Sequence, residues 1–404
     1  MKKYLLYFLL AAFLFSNPLQ EAIDSAPSGS KIELGSGEYH GRIVINKPLI
    51  LEGTSDKKAH IIGDNTSSVI TITSPNVVLK NLWISGSGDS HEGLDAAVLV
   101  KDANNVLLEG NKITDSLFGI NFQKVSNSKI LDNFITSKPY DLGVRGDSIV
   151  FWYSHGNTVR ANHLYKSRDM VAWYSSKNIY EYNFGEEGRY SLHFMYANNN
   201  LVQNNIFERN SVGIFFMYSH DITARNNTIK SSLGTFGLGL GLKDSSNFII
   251  EDNDIIYNAR GIFLDQSPYM QDSVNVFKRN RILYNANAVQ FLGLRGKSVF
   301  NENIFKGNME LISSDMPKND MPYVEWRRNY WDDYEGFDRD KDGIGDIPYK
   351  QYAYADKLWL YNADIKFFYG TAAMGLLNFL AKLAPFSQPE LMLTDNEPLI
   401  KASL

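Results

Sequence analysis

The chain has 404 residues, 44% of them hydrophobic and 21% charged, enough to bury a long continuous core and too apolar for a disordered polymer. A formal net charge of −5 removes any general electrostatic case for a nucleic-acid partner. There is no cysteine, so disulfides and thiolate metal sites are excluded, and a soft metal would have to use Met and His.

Met1-Lys2-Lys3 followed by the apolar run Tyr4 to Phe15 reads as a secretory signal over residues 1–16, a basic end and then an apolar stretch too short to span a bilayer. Ser16 neighbours the expected cleavage point, although no good A-x-A site is present, and an uncleaved anchor is the alternative. Next comes a short helix around Leu19 to Ser25, then strands broken by Gly35, Gly37, Gly41 and Pro48. A helix here would cover the first open rung of a solenoid.

A ladder of asparagines follows: Asn111, Asn133, Asn162, Asn183, Asn205, Asn227, Asn253, Asn280 and Asn303, separated by 22, 29, 21, 22, 22, 26, 27 and 23 residues. Each opens a similar line, such as "NIFERNSVGIFF" or "NRILYNANAVQF", in which a small residue and an aliphatic one come eight and nine positions later and a large apolar residue two beyond that. Period-two alternation in short segments bounded by Asn, Asp, Ser and Gly describes strands. The expectation is all-β, a right-handed parallel β-helix of about 22-residue rungs over residues 17–310, with each buried Asn bonding to the adjoining rung roughly 4.8 Å away.

Longer excursions at Gly86–Asp95, Thr136–Asp147, Ser231–Gly239 and Asp265–Ser273 should emerge as surface loops, and several on one side would build a binding face. On the outer face of the middle rungs, counting ten residues from the ladder Asn gives His193, Phe215 and Phe263, and counting twelve gives Tyr174, Met195 and Met217. In one shared phase Met195 and Met217 are stacked neighbours and His193 is roughly 7 Å from Met195 along the strand. Two thioethers and an imidazole on one face suit Cu(I), shielded by Tyr174, Phe215 and Phe263. The same side chains also read as packing beneath a loop. Met309, Met316 and Met321 form a second, less regular cluster.

Two further residue sets read more plainly. His155 and His220 occupy matching positions three rungs apart, cannot share a metal, and read as solvated turn residues. Arg168 and Arg189 share a register on adjacent rungs and need Asp169, Glu186 or Glu187 to relieve them, or an anion.

Residues 311–350 read as a terminal coil carrying Asp338-x-Asp340-x-Asp342-Gly343-x-x-Asp346. This matches the first nine positions of a calcium loop, with Ile344 as the carbonyl ligand, and suggests structural Ca2+. The twelfth position is Tyr349 in place of Glu, and a solvated acidic turn is the alternative. Residues 351–404 form a tail in which Asp364 to Ala384 is helix-like, too interrupted by Asn378 and Lys382 to span a membrane, and fit either to pack on the solenoid end or to dock on a membrane partner.

The opening "LQEAIDSAPSGSKIELGSGEYHGRIVINKPLILEG", the rungs "LHFMYANNNLVQNN", "VGIFFMYSHDITARNN" and "GLGLKDSSN", and the closing "NYWDDYEGFDRDKDGIGDIPY" together resemble the NosD family, periplasmic β-helix accessories of nitrous oxide reductase maturation. The opening and the ladder are shared with sugar-handling β-helices generally; the HFM and FFM rungs carry the specificity. The resemblance implies a non-enzymatic copper-handling protein on the periplasmic side of the inner membrane. Its implied partners are an ABC-type ATPase and permease, a copper-donor lipoprotein, and nitrous oxide reductase as client for copper–sulfur centre assembly. ATP hydrolysis would belong to the partner, since no G-x-x-x-x-G-K-[ST] sequence is present. No ligand set transfers from the family residue by residue, so His193, Met195 and Met217 rest on register alone.

Two other readings stay open. A polysaccharide lyase or glycoside hydrolase would need paired carboxylates on one groove or an acidic metal cluster with a base such as Arg260, and the outer face supplies Asp265 without an in-register acidic partner. A purely structural surface β-helix needs no site at all.

Overall fold

The computed structural model describes residues 17–293, 295–314, 323–353, 363–368, 371–383 and 390–402. The expected signal segment, Met316 and Met321 lie outside them. Three sheets run along the molecule, and through the solenoid each turn of chain adds one parallel strand to each in order; the first sheet ends in an antiparallel pair, Glu390–Asp395 with Tyr349–Ala353. One turn comprises Ile179–Glu181 in the first sheet, Phe184–Glu186 in the second and Tyr190–Met195 in the third; Leu201–Gln203 then pairs with Ile179–Glu181. The expected all-β parallel β-helix is the fold. Alternation sets its inside: Leu192 and Phe194 are buried while His193 and Met195 between them face outward.

The asparagine ladder stands at the corner between the first and second sheets. Asn205 Oδ1 accepts both the backbone N–H and the side-chain amide of Asn183, at 3.0 Å each. Asn205 in turn donates to the Tyr180 carbonyl and to Asn227 Oδ1, both at 2.9 Å. The residue before each ladder Asn has left-handed backbone, including Asp132 (φ 53), Ala161 (φ 56), Tyr182 (φ 56) and Arg279 (φ 53). That conformation costs a non-glycine residue roughly 1–2 kcal/mol. The side-chain amides offset it by satisfying the backbone groups that the sharp corner leaves buried. The ladder continues past Asn303 through Asn329 and ends on the buried carboxylate of Asp395.

Both ends of the core are covered. Helix α1, Pro18–Ser25, is capped by Asn17, whose Oδ1 accepts the Gln20 amide at 3.1 Å, and buries Leu19 and Ile23 over the first turn. At the other end, Val324–Arg327 and Tyr330–Trp331 carry the first and second sheets on past residue 310, and Glu390–Asp395 adds to the first sheet beside Trp326. A short 3-10 turn, Ala363–Phe368, and helix α2, Ala372–Leu383, occupy the helix-like stretch. Met374 and Ala381 of α2 are buried, whereas Leu376, Leu377, Phe379, Leu380 and Leu383 are exposed. Among the described residues no helix is long and apolar enough to cross a membrane.

Three of the four expected insertions, at 86–95, 138–148 and 231–237, emerge at the corner between the second and third sheets; the fourth, 266–273, emerges between the third and first. The first two are tied together by Lys138 Nζ to Asp89 at 2.7 Å and by His91 Nε2 against the Val144 carbonyl at 2.9 Å. Near them the outer side of the third sheet buries a small apolar cluster, Ala96, Leu117, Phe118, Val150 and Val171. The middle of that sheet is thus the stretch where outward side chains meet a built surface.

Candidate metal site on the third sheet

Two columns of outward residues define the site. Val171, His193, Phe215 and Gly241 are register partners on successive turns, and so are Trp173, Met195, Met217 and Lys243. Met195 and Met217 are therefore stacked neighbours, and His193 Nε2 lies 3.2 Å from Met217 Sδ. The His193 side chain keeps 12% of its surface exposed, so it is nearly enclosed without being sealed.

The local cause is a register shift. Asp169 pairs with Tyr190 but Val171 pairs with His193, so the strand Tyr190–Met195 carries one extra residue there. Bulges of this kind re-aim side chains. The shift also places Tyr174 differently from the count along the chain: Trp173, not Tyr174, stands opposite Met195. Tyr174 instead lies at the corner, stacked between Tyr153 (4.9 Å) and Tyr196 (5.1 Å). Tyr190 stacks on His193 at 4.7 Å, with Phe215 at 6.4 Å on the same ring. Phe263 reaches Phe215 at 6.3 Å across Gly241, where an added Cβ would meet the Phe215 ring at 2.2 Å.

Behind His193 stands the charged group that register paired, Arg189 with Asp169, here joined to the imidazole, a link the spacing did not reveal. Arg189 grips Asp169 with two bonds, Nε to Oδ1 at 3.0 Å and Nη2 to Oδ2 at 2.5 Å, and Asp169 Oδ2 lies 3.9 Å from His193 Nδ1. Burial by itself would raise the Asp169 carboxyl, but the nearby His193 imidazole and the two Arg189 bonds outweigh it and hold the group below its ordinary range. Asp147 has the opposite fate: burial, and then the Asp169 charge, push it up to about 7 against the pull of Arg168 and Arg189. Asp147 Oδ1, Arg168 Nε and the hydroxyls of Ser167 and Ser191 have no hydrogen-bond partner in the protein. A cavity of about 10 Å³ beside Ser167 and Ser191 is the size of one water.

Chemically, a carboxylate on the Nδ1 side favours a proton there and leaves the Nε2 lone pair directed at a thioether. Imidazole plus thioether is a soft donor pair, suited to Cu(I) and poor for hard cations. Of the acids expected to relieve the two arginines, Asp169 takes Arg189, while Glu186 pairs with His163 and Arg209 and Glu187 with Lys166. Asp265 is bound by Lys243 at 2.5 Å. Met309 is exposed and His155 Nδ1 accepts the Ser176 amide at 3.1 Å.

The acidic loop converges only in part. Asp338, Asp340 and Asp342 each offer an oxygen within 4.8 Å of the others. Asp338 accepts the amides of Lys341 (2.6 Å) and Gly343 (3.0 Å), and Asp342 accepts that of Ile344 (2.8 Å). Asp346 turns to the Arg339 amide at 2.8 Å, and Tyr349 packs on Trp331 at 4.7 Å.

Residues 138–336 match the family described as "Periplasmic copper-binding protein (NosD)", and residues 17–223 match a family of unknown function, DUF1565. A Pseudomonas aeruginosa protein named "Probable ABC transporter binding protein NosD" is 30% identical, over 94% of this chain and 91% of its own length. A Stutzerimonas stutzeri protein of the same name is 25% identical over 96% and 92%. Among solved structures, a mannuronan C-5 epimerase A-module from Azotobacter vinelandii (TM-score 0.57, 15% identity, 74% of this chain and 94% of that one) shares the fold. So does the surface adhesin PfbA of Streptococcus pneumoniae (TM-score 0.57, 16% identity, 74% and 90%). At such identities these two speak for architecture alone. Similarity to the curated proteins along nearly the whole length places the chain in the NosD family.

Proposed function

We propose that this chain is a non-enzymatic periplasmic accessory of an ABC-transporter system that binds Cu(I) on its third sheet and passes it toward copper-centre assembly in nitrous oxide reductase. The observation that carries the reading is the contact between His193 Nε2 and Met217 Sδ with Asp169 behind the ring, in a chain of a family described as copper-binding. Met195 is the third donor, in register beside Met217. Relatives named as ABC transporter binding proteins support a transporter as the docking platform, with a copper-donor lipoprotein upstream. The exposed apolar side of α2 suits a membrane-embedded permease. The test is anaerobic Cu(I) titration against a competing chelator: Met195→Leu with Met217→Leu removes one bound equivalent while the far-ultraviolet circular dichroism stays unchanged. Unaltered stoichiometry and affinity would retire these ligands.

The acidic loop is assigned a structural part. Ile344 bridges to Leu399 and the Gly345 amide donates to the Pro398 carbonyl at 2.8 Å, so Ca2+ held by Asp338, Asp340 and Asp342 would stiffen the C-terminal cover. Calcium is expected to raise the melting temperature, and an Asp340→Asn variant to lose that rise.

Sugar chemistry keeps one observation in its favour: Asp147 and Asp169 are two carboxyl groups driven in opposite directions, the pattern of an acid and a base. Against it, both are covered and Asp169 is committed to Arg189. Release of reducing ends or unsaturated uronates from β-linked polymers by the pure protein would restore this reading.

A further inference from the structure

We infer that the corner between the third and first sheets carries a second soft-metal site, built from His220 and Met270 and taking Cu(I) or Ag(I). The choice of ion rests on the proposed function; the position rests on its own residues. His220 was expected in a solvated turn but opens the strand His220–Arg225. Its register partner on the next turn is Ser246. Ser246 Oγ accepts the backbone amides of Tyr269 (2.9 Å) and Met270 (2.8 Å), and Ser273 Oγ donates to the Met270 carbonyl at 2.5 Å. The insertion 266–273 is thereby fastened one rung away from His220, and His220 and Met270 both line one open cleft of about 320 Å³.

The donors are presented as a soft ion needs them. His220 Nδ1 lies 2.7 Å from Asp221 Oδ2, which favours the proton on that nitrogen and frees the Nε2 lone pair. Met270 is 45% exposed, an unbranched thioether held open to solvent by a backbone pinned at both its amide and its carbonyl. Tyr196, Tyr218 and Tyr269 line the cleft with Asp244; among the described residues no Lys or Arg lines it directly, while Lys243 lies 4.0 Å from Asp244 and Arg295 sits over the Tyr269 ring at 4.8 Å, both at its margin. One lining carboxylate is too few for Ca2+ or Mg2+, which leaves the imidazole and the thioether as the selecting donors. Met217 and His220 stand on either side of the bend at Tyr218, so the two soft sites flank a single corner.

Anaerobic titration of the purified full chain with Ag(I), and with Cu(I) against a chelator, tests this. The unaltered protein takes two equivalents; His220→Gln with Met270→Leu keeps one, and Met195→Leu with Met217→Leu keeps one. Two equivalents retained by the His220/Met270 variant overturn the inference and leave the first site standing. Loss of an equivalent only in the His220/Met270 variant overturns the first site and leaves this one. Met270→Leu alone preserves the volume of the insertion, and an unchanged melting temperature separates lost ligation from lost fold. His220 ring resonances should move as Ag(I) fills the second equivalent; resonances that stay fixed through saturation count against the site.

Discussion

Asp395 completes the ladder that Asn329 would otherwise leave open: its Oδ2 accepts the Asn329 backbone N–H at 2.9 Å and the Asn329 side-chain amide at 3.1 Å. These are the two bonds that each ladder Asn from Asn133 on supplies to the turn before it, delivered here from a strand 66 residues away. The same oxygen takes the indole N–H of Trp331 at 3.2 Å, and Oδ1 takes the Arg328 amide at 3.1 Å. Asp395→Ala strands several buried donors at once, each costing about 1–3 kcal/mol, so a loss of at least about 3 kcal/mol is expected. Asp395→Asn keeps one acceptor oxygen and should fall between. Urea midpoints of the three proteins check the order, and an alanine variant as stable as the parent would show that the strand is not part of the cooperative unit.

The ladder was readable in the sequence because its amide must recur once per turn, while Asp395 was not, because a carboxylate after a long detour has no period. The corner between the third and first sheets carries rows with the same period, Asn157, Asn178 and Asn200 and, beside them, Ser154 and Ser175, but their runs are too short to stand out from the sequence. Met195 and Met217 were placed together by counting, since no insertion separates their turns from each other. Tyr174 was misplaced by a single residue, because a bulge in the facing strand alters register without altering spacing from the ladder. Asp169 and Tyr190 precede their strands' regular part, so only coordinates join them to His193.

Asp169 should act as a positioning residue for His193. Asp169→Asn weakens its bond to Arg189 and removes the charge behind Nδ1, and loss of such an outer partner typically lowers metal affinity 10–100-fold. Cu(I) affinity by chelator competition should fall in that range, and the His193 tautomer seen by nitrogen NMR should shift toward a proton on Nε2. A purely structural role would lower stability and leave the tautomer unmoved.

Asn121 offers a stabilising change. It is wholly buried on the outer side of the third sheet, between its register partners Leu99 and Val150, and neither side-chain atom has a hydrogen-bond partner in the protein. Replacing an unpaired buried amide by an apolar group of similar volume recovers the desolvation cost, about 1–3 kcal/mol. Asn121→Leu is therefore expected to raise the melting temperature with no effect on Cu(I) binding. A drop in melting temperature would mean that the amide is satisfied by water.

Asp147 makes stability depend on pH in a direction unusual for a carboxylate. Burial and the Asp169 charge raise it to about 7, from about 4 in an unfolded chain. Between those values the native state holds a proton that the unfolded state has released, so stability falls as pH rises. The contribution is complete below about pH 4 and gone once pH passes about 7. Asp147→Asn carries no ionisable group and should flatten this part of the profile, gaining on the parent at pH 8 relative to pH 5. Its cost at low pH should be small, since Asp147 Oδ1 has no hydrogen-bond partner to lose. Urea midpoints at pH 5 and pH 8 measure the difference directly; equal slopes for the two proteins would mean that Arg168, 4.0 Å from that oxygen, keeps Asp147 ionised throughout.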